Sequence, residues 1–448
     1  MSCSLGLIRR LLRLVTAAGL ASFSPAAGAP VTNLPAGESL HDFTARTLSL
    51  QEAERIATMR NWDLLAAAEG VDVAIAQKLV AQEFPNPTLS VSTTLINVDQ
   101  HPNSTPEGNG LWERSYDTVT AVTQLFEIGG KRRSRKASAR AGFEVAKAQF
   151  LDARRTLDLG VAKAYVAVAQ AEENARILQE SAGTLRSEAA LAEVRLRAGE
   201  ISTADKSQIE IAAERFELDA RAAESLAEQA RIALELLLGV PHPKGEVVLS
   251  ESLETLCASA APSELNHVGL WRADVVAAEA ALRKADADLR LQKANRVPDP
   301  TVLAQYEHEP PDNPNSVGFG VSFPLPLWNR NKGNIKAAEA TREQAQLALD
   351  KIQAQAAADI TTARFIYDNA LQRWRSYRDT IRPKSEQIRK TIAYAYQQGG
   401  ASLLDLLTAE RNDNEVRLGA AQAASDTAVA LASLKAATVV VQPSQITQ

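Results

Sequence analysis

Between Lys131 and Ala198 the apolar positions keep one rhythm. They run Ala146, Phe150, Ala153, Leu157, Val161, Ala164, Val168, Ala171, Ala175 and on through Ala182, Leu185, Ala189 and Ala192 to Leu196. Steps of three and four alternate, with one extra step of four between Leu157 and Val161. Such alternation is the seam of a coiled coil, and the extra step is a stutter that locally unwinds it. No proline interrupts the run, so it predicts one helix of roughly 100 Å at about 1.5 Å per residue. Gly199 stops this helix, and Ser202 with Asp205 restarts the chain as a return helix whose seam runs from Ile209 to Leu237.

A second pattern precedes the long helix. A helix beginning after Ser49 runs to about Glu83 and is stopped by Pro85 and Pro87. Two segments of period two follow, about 88–98 and 116–125, separated by a Pro- and Gly-bearing loop. Leu89, Val91, Thr93 and Leu95 share one face of the first; Val119 and Ala121 oppose Thr118 and Thr120 in the second. Gly129 and Gly130 then lead into the long helix.

After a connector at 239–262, with one short strand-like run at 246–249, the plan repeats. A helix from about 263 to 295 ends at Pro298 and Pro300. Strands follow at about 301–308 and 316–323, the latter alternating Val317, Phe319, Val321 and Phe323 with Gly318, Gly320 and Ser322. Pro324, Pro326 and Trp328 precede a second long helix, predicted to run unbroken to Gln398. Gly399 and Gly400 turn it, and Ser402 with Asp405 starts the return. Gly199 pairs with Gly399, Ser202 with Ser402 and Gly129 with Asn329, always at the same offset, which makes the chain a duplication of helix, β-hairpin, long helix, turn and helix. The expected organisation is a signal peptide at 1–29, an N-terminal arm at 30–47, repeat 1 at 48–238, the connector, repeat 2 at 263–438 and a disordered tail at 439–448.

Composition narrows the function. The leading residues carry Arg9, Arg10 and Arg13, an apolar core and Ala27-Gly28-Ala29, the order of an export signal. Beyond it no apolar run reaches the ~20 residues of a membrane helix. The strands, however, have the length and alternation of tilted membrane strands. Four strands cannot close a barrel, and open edges are excluded from hydrocarbon, so a barrel must be shared between chains. Trp112, Tyr116, Phe126 and Trp328 lie near strand ends, where an interfacial aromatic girdle would sit. A net charge of -5 gives no support to nucleic-acid binding. The five histidines (His41, His101, His242, His267, His308) are scattered, no metal-ligand spacing or cofactor motif is found, and no nucleophile elbow or phosphate loop points to an enzyme. Cys257, the thiol left after signal removal, reads as a neutral, partly buried group.

The arrangement resembles the TolC family of outer-membrane efflux ducts. The resemblance is carried by the Pro-x-Pro segments before the strands, by Phe126 to Arg132, by Pro324 to Gly333 and by the Gly399–Asp405 turn, and it covers essentially the whole mature chain. The two junction motifs most resemble the branch serving cobalt-zinc-cadmium and copper-silver efflux. The resemblance implies a mainly α fold with membrane β, in which a trimeric α-helical coiled-coil barrel continues a shared 12-stranded β-barrel in the outer-membrane lipid. It further implies a passive homotrimeric conduit from periplasm to exterior, in contact with a periplasmic adaptor (membrane fusion protein) and an inner-membrane resistance-nodulation-division pump. Family ducts close at the periplasmic tip with acidic rings after the second turn. Asp405 occupies the first such position and Thr408 the second, which leaves at most one ring. Two readings of Asp405 stand, gate or helix cap, while Asp205 reads as a cap. A duct for organic drugs or type I secretion substrates, a periplasmic coiled-coil adaptor and a structural coiled coil are the competing classes.

Overall fold

The computed structural model describes residues 47–94, 117–258, 272–309 and 313–438, with the side chains of 313 and 314 left aside. All of them fall in the unit that begins at Ala45. The expected signal, most of the arm, the first hairpin loop with Trp112, the strand ends at 95–98 and Tyr116, the connector end and helix start at 259–271, the tail, and His41, His101 and His267 lie outside the described residues.

The first helical stretch is two helices, α1 (Leu50–Arg60) and α2 (Trp62–Val80), where the sequence predicts one. The break is at Asn61, whose extended backbone ends α1 and whose Oδ1 accepts from Leu64 N–H at 3.1 Å. Its Nδ2 donates to Leu237 O at 3.1 Å, so the break is held by a distant helix, which local sequence does not reveal. Gly239 passes the same point at φ 76°. A Cβ there would stand 2.4 Å from Arg60 O.

Strands β2 (Thr88–Thr94), β3 (Asp117–Leu125), β5 (Thr301–Glu309) and β6 (Asn313–Ser322) form one antiparallel sheet in the order β2-β3-β5-β6. The two hairpins are thus zipped together through β3 and β5, from Thr118↔His308 to Leu125↔Thr301. Register places Leu89, Val122, Ala304 and Phe319 in one row and Val302 and Val321 in the next row of the same face. The other face carries Ser90, Ser92, Thr123, Gln305 and Gly318. One departure concerns β3: Val119 and Ala121 lie on the polar face while Thr118 and Thr120 join the apolar one. The strand's own alternation is overridden by pairing to its neighbours. The second hairpin is tighter than predicted, because Glu309 pairs with Asn313 and the residues read as loop extend both strands.

Helix α3 (Lys131–Arg197) is continuous over 67 residues, as its seam requires. Its first half packs on α2 and α6 (Ala273–Ala294), its second on α4 (Thr203–Leu237) and α9 (Leu403–Thr438). Burial widens just after the stutter, where Val161, Ala162, Tyr165, Val166, Val168 and Ala169 are all covered. Partners change over here, and a locally unwound helix presents two faces at once. Tyr165, off the seam, donates to Leu48 O at 2.6 Å. Leu48 belongs to β1 (Thr47–Leu48), which pairs in parallel with β4 (Val248–Leu249). The buried Glu235 carboxylate accepts from the backbone N–H groups of Lys244, Gly245, Glu246 and Val247 at 2.6–3.0 Å and ties the connector to α4.

Two corrections concern the remaining helices. The connector holds a short helix, α5 (Leu253–Ala258), in which Cys257 is fully buried; burial pushes its thiol up to about 12 and Sγ donates to Ala424 O. The second long helix is interrupted: α7 (Lys332–Ser376) passes through a π-helical turn, Tyr377–Ile381, into α8 (Arg382–Gln397). Pro383 lies in the first turn of α8 and lacks the N–H an unbroken α-helix would use, so the widened turn takes up the mismatch.

Gly239→Ala is expected to lower the thermal unfolding midpoint clearly. The left-handed backbone alone costs about 1–2 kcal/mol with a side chain, and Arg60 O leaves no room for one. An unchanged midpoint would contradict the close approach.

Candidate functional site

Three places could act in a conduit: the sheet, its junction with the long helices, and the turns at the far ends of those helices. The sheet edges β2 and β6 have no partner strand among the described residues. On the apolar face Phe319 is 82% exposed, and Leu89, Val91, Val317 and Val321 are also bare. A face of this kind, bounded by unpaired N–H and C=O groups, demands both an apolar surrounding and further strands.

At the junction, Gly129 and Gly130 adopt φ 69° and 75°, and a Cβ on Gly129 would meet Val297 at 2.8 Å. The proline segments serve as acceptors: Gln124 Nε2 donates to Pro85 O and Phe126 N–H to Pro300 O, each at 2.9 Å. Asp299, between Pro298 and Pro300, accepts from Ile128 N–H at 3.0 Å and pairs with Lys131 at 2.6 Å. Arg132 donates twice to Gln82 O; Arg135 reaches Ala81 O and Glu83 O and pairs with Glu127. These two arginines hold the carbonyls of the turn that follows α2, Ala81 to Glu83, while the N–H groups of the same three residues close the helix's own last carbonyls at Gln77, Leu79 and Val80. In the second repeat the structural counterpart of Gly130 is Asn331, in the left-handed region at φ 57°, one residue beyond the Gly129–Asn329 alignment read from sequence. Pro324, Pro326 and Trp328 lie in the exposed segment before it, and Trp328 is 93% exposed.

The two turns are near copies. Gly199 and Gly399 close α3 and α8 at φ 78° and 76°, with Glu200 N–H reaching Arg195 O and Gly400 N–H reaching Ala395 O. Ser202 and Asp205 form a reciprocal capping box, with Asp205 N–H on Ser202 Oγ at 3.1 Å. Ser402 and Asp405 repeat it at 3.2 Å, and Ser402 N–H and Oγ both reach Asp405 Oδ2. Those hydrogen bonds hold the exposed Asp405 carboxyl below its usual range. Asp405 thus caps α9, while Thr408 lies half-buried one turn on. The two turns meet: Ala192 and Ile209 pack with Tyr396, Leu403 and Leu406. Arg195 spans the contact by donating to Gln397 O at 3.1 Å.

Just above this contact sits a charged cluster that the sequence reading missed. Glu410 and Asp413 of α9 are buried, and Arg389 of α8 reaches them at 3.1 and 3.4 Å. Ser385 donates to Asp413 at 2.8 Å. Glu188 of α3 adds a third carboxylate, its Oε2 buried without a hydrogen-bond partner. Burial raises the Glu410 pKa, and the Arg389 charge only partly opposes this. The signal was in the seam: Leu403, Leu406, Glu410 and Asp413 continue the three-four spacing, with carboxylates where apolar residues belong. For the junction it was the run Lys131-Arg132-Arg133, which opposes a helix macrodipole and therefore needs another reason. Among the described residues no group of three or more His, Cys, Asp and Glu side chains is arranged to hold a metal ion.

Comparison with known proteins agrees with this geometry. The outer membrane efflux protein family model matches residues 55–240 and 270–438. The cobalt-zinc-cadmium resistance protein CzcC of Cupriavidus metallidurans is 28% identical over 382 residues, covering 84% of this chain and 86% of that relative. Among solved structures, a crystal structure of CusC, described in terms of transmembrane channel formation, superposes with TM-score 0.73 at 19% identity, covering 88% of this chain and 92% of its own. The outer membrane protein VceC of Vibrio cholerae gives TM-score 0.69 at 20% identity, over 87% and 95% of the two chains. At these identities the two structures speak for the fold.

A raised carboxyl pKa in the folded state gives stability that is full below the unfolded value and is lost as pH rises through the folded one. Glu410→Gln is therefore expected to gain on the parent chain in thermal midpoint as pH goes from 4.5 to 7.5. Parallel midpoint curves across that range would contradict a buried, proton-binding Glu410.

Proposed function

The chain belongs to the outer membrane efflux protein family and is not an enzyme, and from that premise we propose that it forms, as a homotrimer, the outer-membrane channel of a tripartite efflux system for heavy-metal cations. The observation that carries the reading is the four-stranded sheet, apolar on one face, polar on the other, and open at β2 and β6. Three copies joined edge to edge give twelve strands and no edge, with lipid against Val122, Phe319 and Val321 and water against Ser90, Thr123 and Gln305. The helices then run from the junction into the periplasm, α3 alone for about 100 Å, and the paired turns at Gly199 and Gly399 form the far tip.

In this arrangement the conduit is passive. Cargo choice and energy belong to an inner-membrane pump of the resistance-nodulation-division type, coupled to protons and connected through a periplasmic adaptor. The name of CzcC supports heavy-metal cations as cargo. At the tip, three copies of Asp405 form a single acidic ring that acts as gate as well as cap, and Thr408 adds no charge to it. The same organisation assigns 1–29 to the export signal, 48–238 and 263–438 to the two repeats, and 239–262 to the level where the helices change partners.

The reading is tested in a bacterium deleted for its own metal-efflux channel but retaining pump and adaptor. Expression of this chain is expected to raise the growth-inhibiting concentration of zinc, cobalt or cadmium severalfold, and to leave tolerance to organic dyes unchanged. Restored dye tolerance without metal tolerance would overturn the cargo assignment.

A further inference from the structure

Six basic residues crowd the first ten positions of α3, and the structure uses only half of them. Lys131 is held by Asp299, Arg132 by the end of α2, and Arg135 by Glu127. Arg133, Lys136 and Arg140 have no hydrogen bond or ion pair among the described residues, and they line one shallow depression with Arg132 and Ala137. Their spacing of three and four puts them on one flank of the helix. Other flanks are taken: Arg132 and Arg135 reach the end of α2, and Ser138 meets Asp288 of α6. Arg133 and Arg140 are exposed on what remains.

Positive charge in the first turn of a helix opposes the macrodipole, so Arg133 is a local cost there, and Lys136 and Arg140 add like charge beside it with no return inside the described chain. The duplication supplies an internal control. When Lys131 is aligned with Lys332, the three positions fall on Asn334, Ala337 and Thr341 of α7, none of them charged. Starting a long helix below this sheet therefore does not require the cations. What surrounds them suggests the partner. Phe126 and Ile128, immediately before α3, are exposed, as are Leu325, Leu327 and Trp328 before α7. An apolar and aromatic collar at the sheet's end, with unpaired cations one to three helical turns beyond it, matches the order of acyl chain, interface and phosphate in a bilayer.

We infer that Arg133, Lys136 and Arg140 form a binding surface for the headgroups of anionic phospholipids in the periplasmic leaflet, which fixes the depth of the channel in the membrane. The inference rests on the proposed membrane location of the sheet. Lipid phosphate supplies the charge the stripe lacks, and the stripe provides three such contacts per chain in repeat 1 only.

The test uses the full chain reconstituted into nanodiscs containing equal phosphatidylglycerol and phosphatidylcholine, followed by gentle release and native mass spectrometry of retained lipid. Retention of phosphatidylglycerol over phosphatidylcholine is expected by roughly tenfold, given a substantial contribution from each cation near an anionic surface. The triple variant Arg133→Gln, Lys136→Gln, Arg140→Gln is expected to fall to within about twofold of no preference. Arg133→Lys with Arg140→Lys, which keeps the charge, and Lys336→Gln in α7 are expected to retain it, which separates lost binding from lost folding. Equal retention of both lipids by the parent chain, or an unchanged preference in the triple variant, would overturn the inference while the membrane reading stands. Displacement of the lipid by millimolar glycerol phosphate would assign the stripe to a soluble anion and overturn the lipid surface. A chain that fails to enter the nanodisc at all would overturn the membrane reading and this inference together.

Discussion

A β-sheet edge is a row of unsatisfied backbone dipoles, and in hydrocarbon such a row has no solvent to turn to. Here the edge constraint meets a sheet that is apolar on one face, built from one hairpin of each repeat and zipped through β3 and β5. A soluble protein would cover that face with a helix, yet Phe319 and Val321 stand exposed. An apolar medium around that face and other strands at its edges would meet both demands. Both conditions point to the same assembly.

In the proposed channel the helices answer a different demand, that of carrying a wall across a long aqueous gap without a large core. Alanine-rich seams let α3, α4 and α9 approach closely over many turns. The change of partners at the stutter turns one helix layer into another without ending α3. Where helices do end, polar groups take over. Arg132 and Arg135 satisfy the carbonyls of the turn that follows α2, Glu235 gathers four N–H groups of the connector, and the two capping boxes satisfy the starts of α4 and α9. The second repeat departs from the first where its sequence allows it: Asn331 replaces a left-handed glycine, and Pro383 forces a π-helical turn into an otherwise matching helix.

Much of this was legible because periodicity is a long-range signal carried by many residues. The seams of α3 and α4, the strand alternation of Leu89, Val317 and Phe319, and the Gly199 and Gly399 turns all lay open in the sequence. What was hidden depended on single side chains reaching across the fold. Asn61 breaks a helix because Leu237 O is there to accept, and β3 reverses its apparent phase because β2 and β5 set its register. The candidate site divides in the same way. The Asp405 cap could be read from Ser402-x-x-Asp405, whereas the cluster of Glu188, Arg389, Glu410 and Asp413 needed three helices to be brought together. Its trace, carboxylates on a seam, has meaning only once the seam is known to be buried.

The shared barrel is the assembly on which the proposed channel depends. The most direct measurement is the native mass of the unboiled chain extracted by detergent from the outer-membrane fraction. A mass of three chains in that fraction is what the proposed twelve-stranded barrel predicts, with the β2 and β6 edges closed against neighbouring copies. A monomer recovered from the soluble periplasm would contradict it, and the apolar sheet face would then have to be covered in some other way.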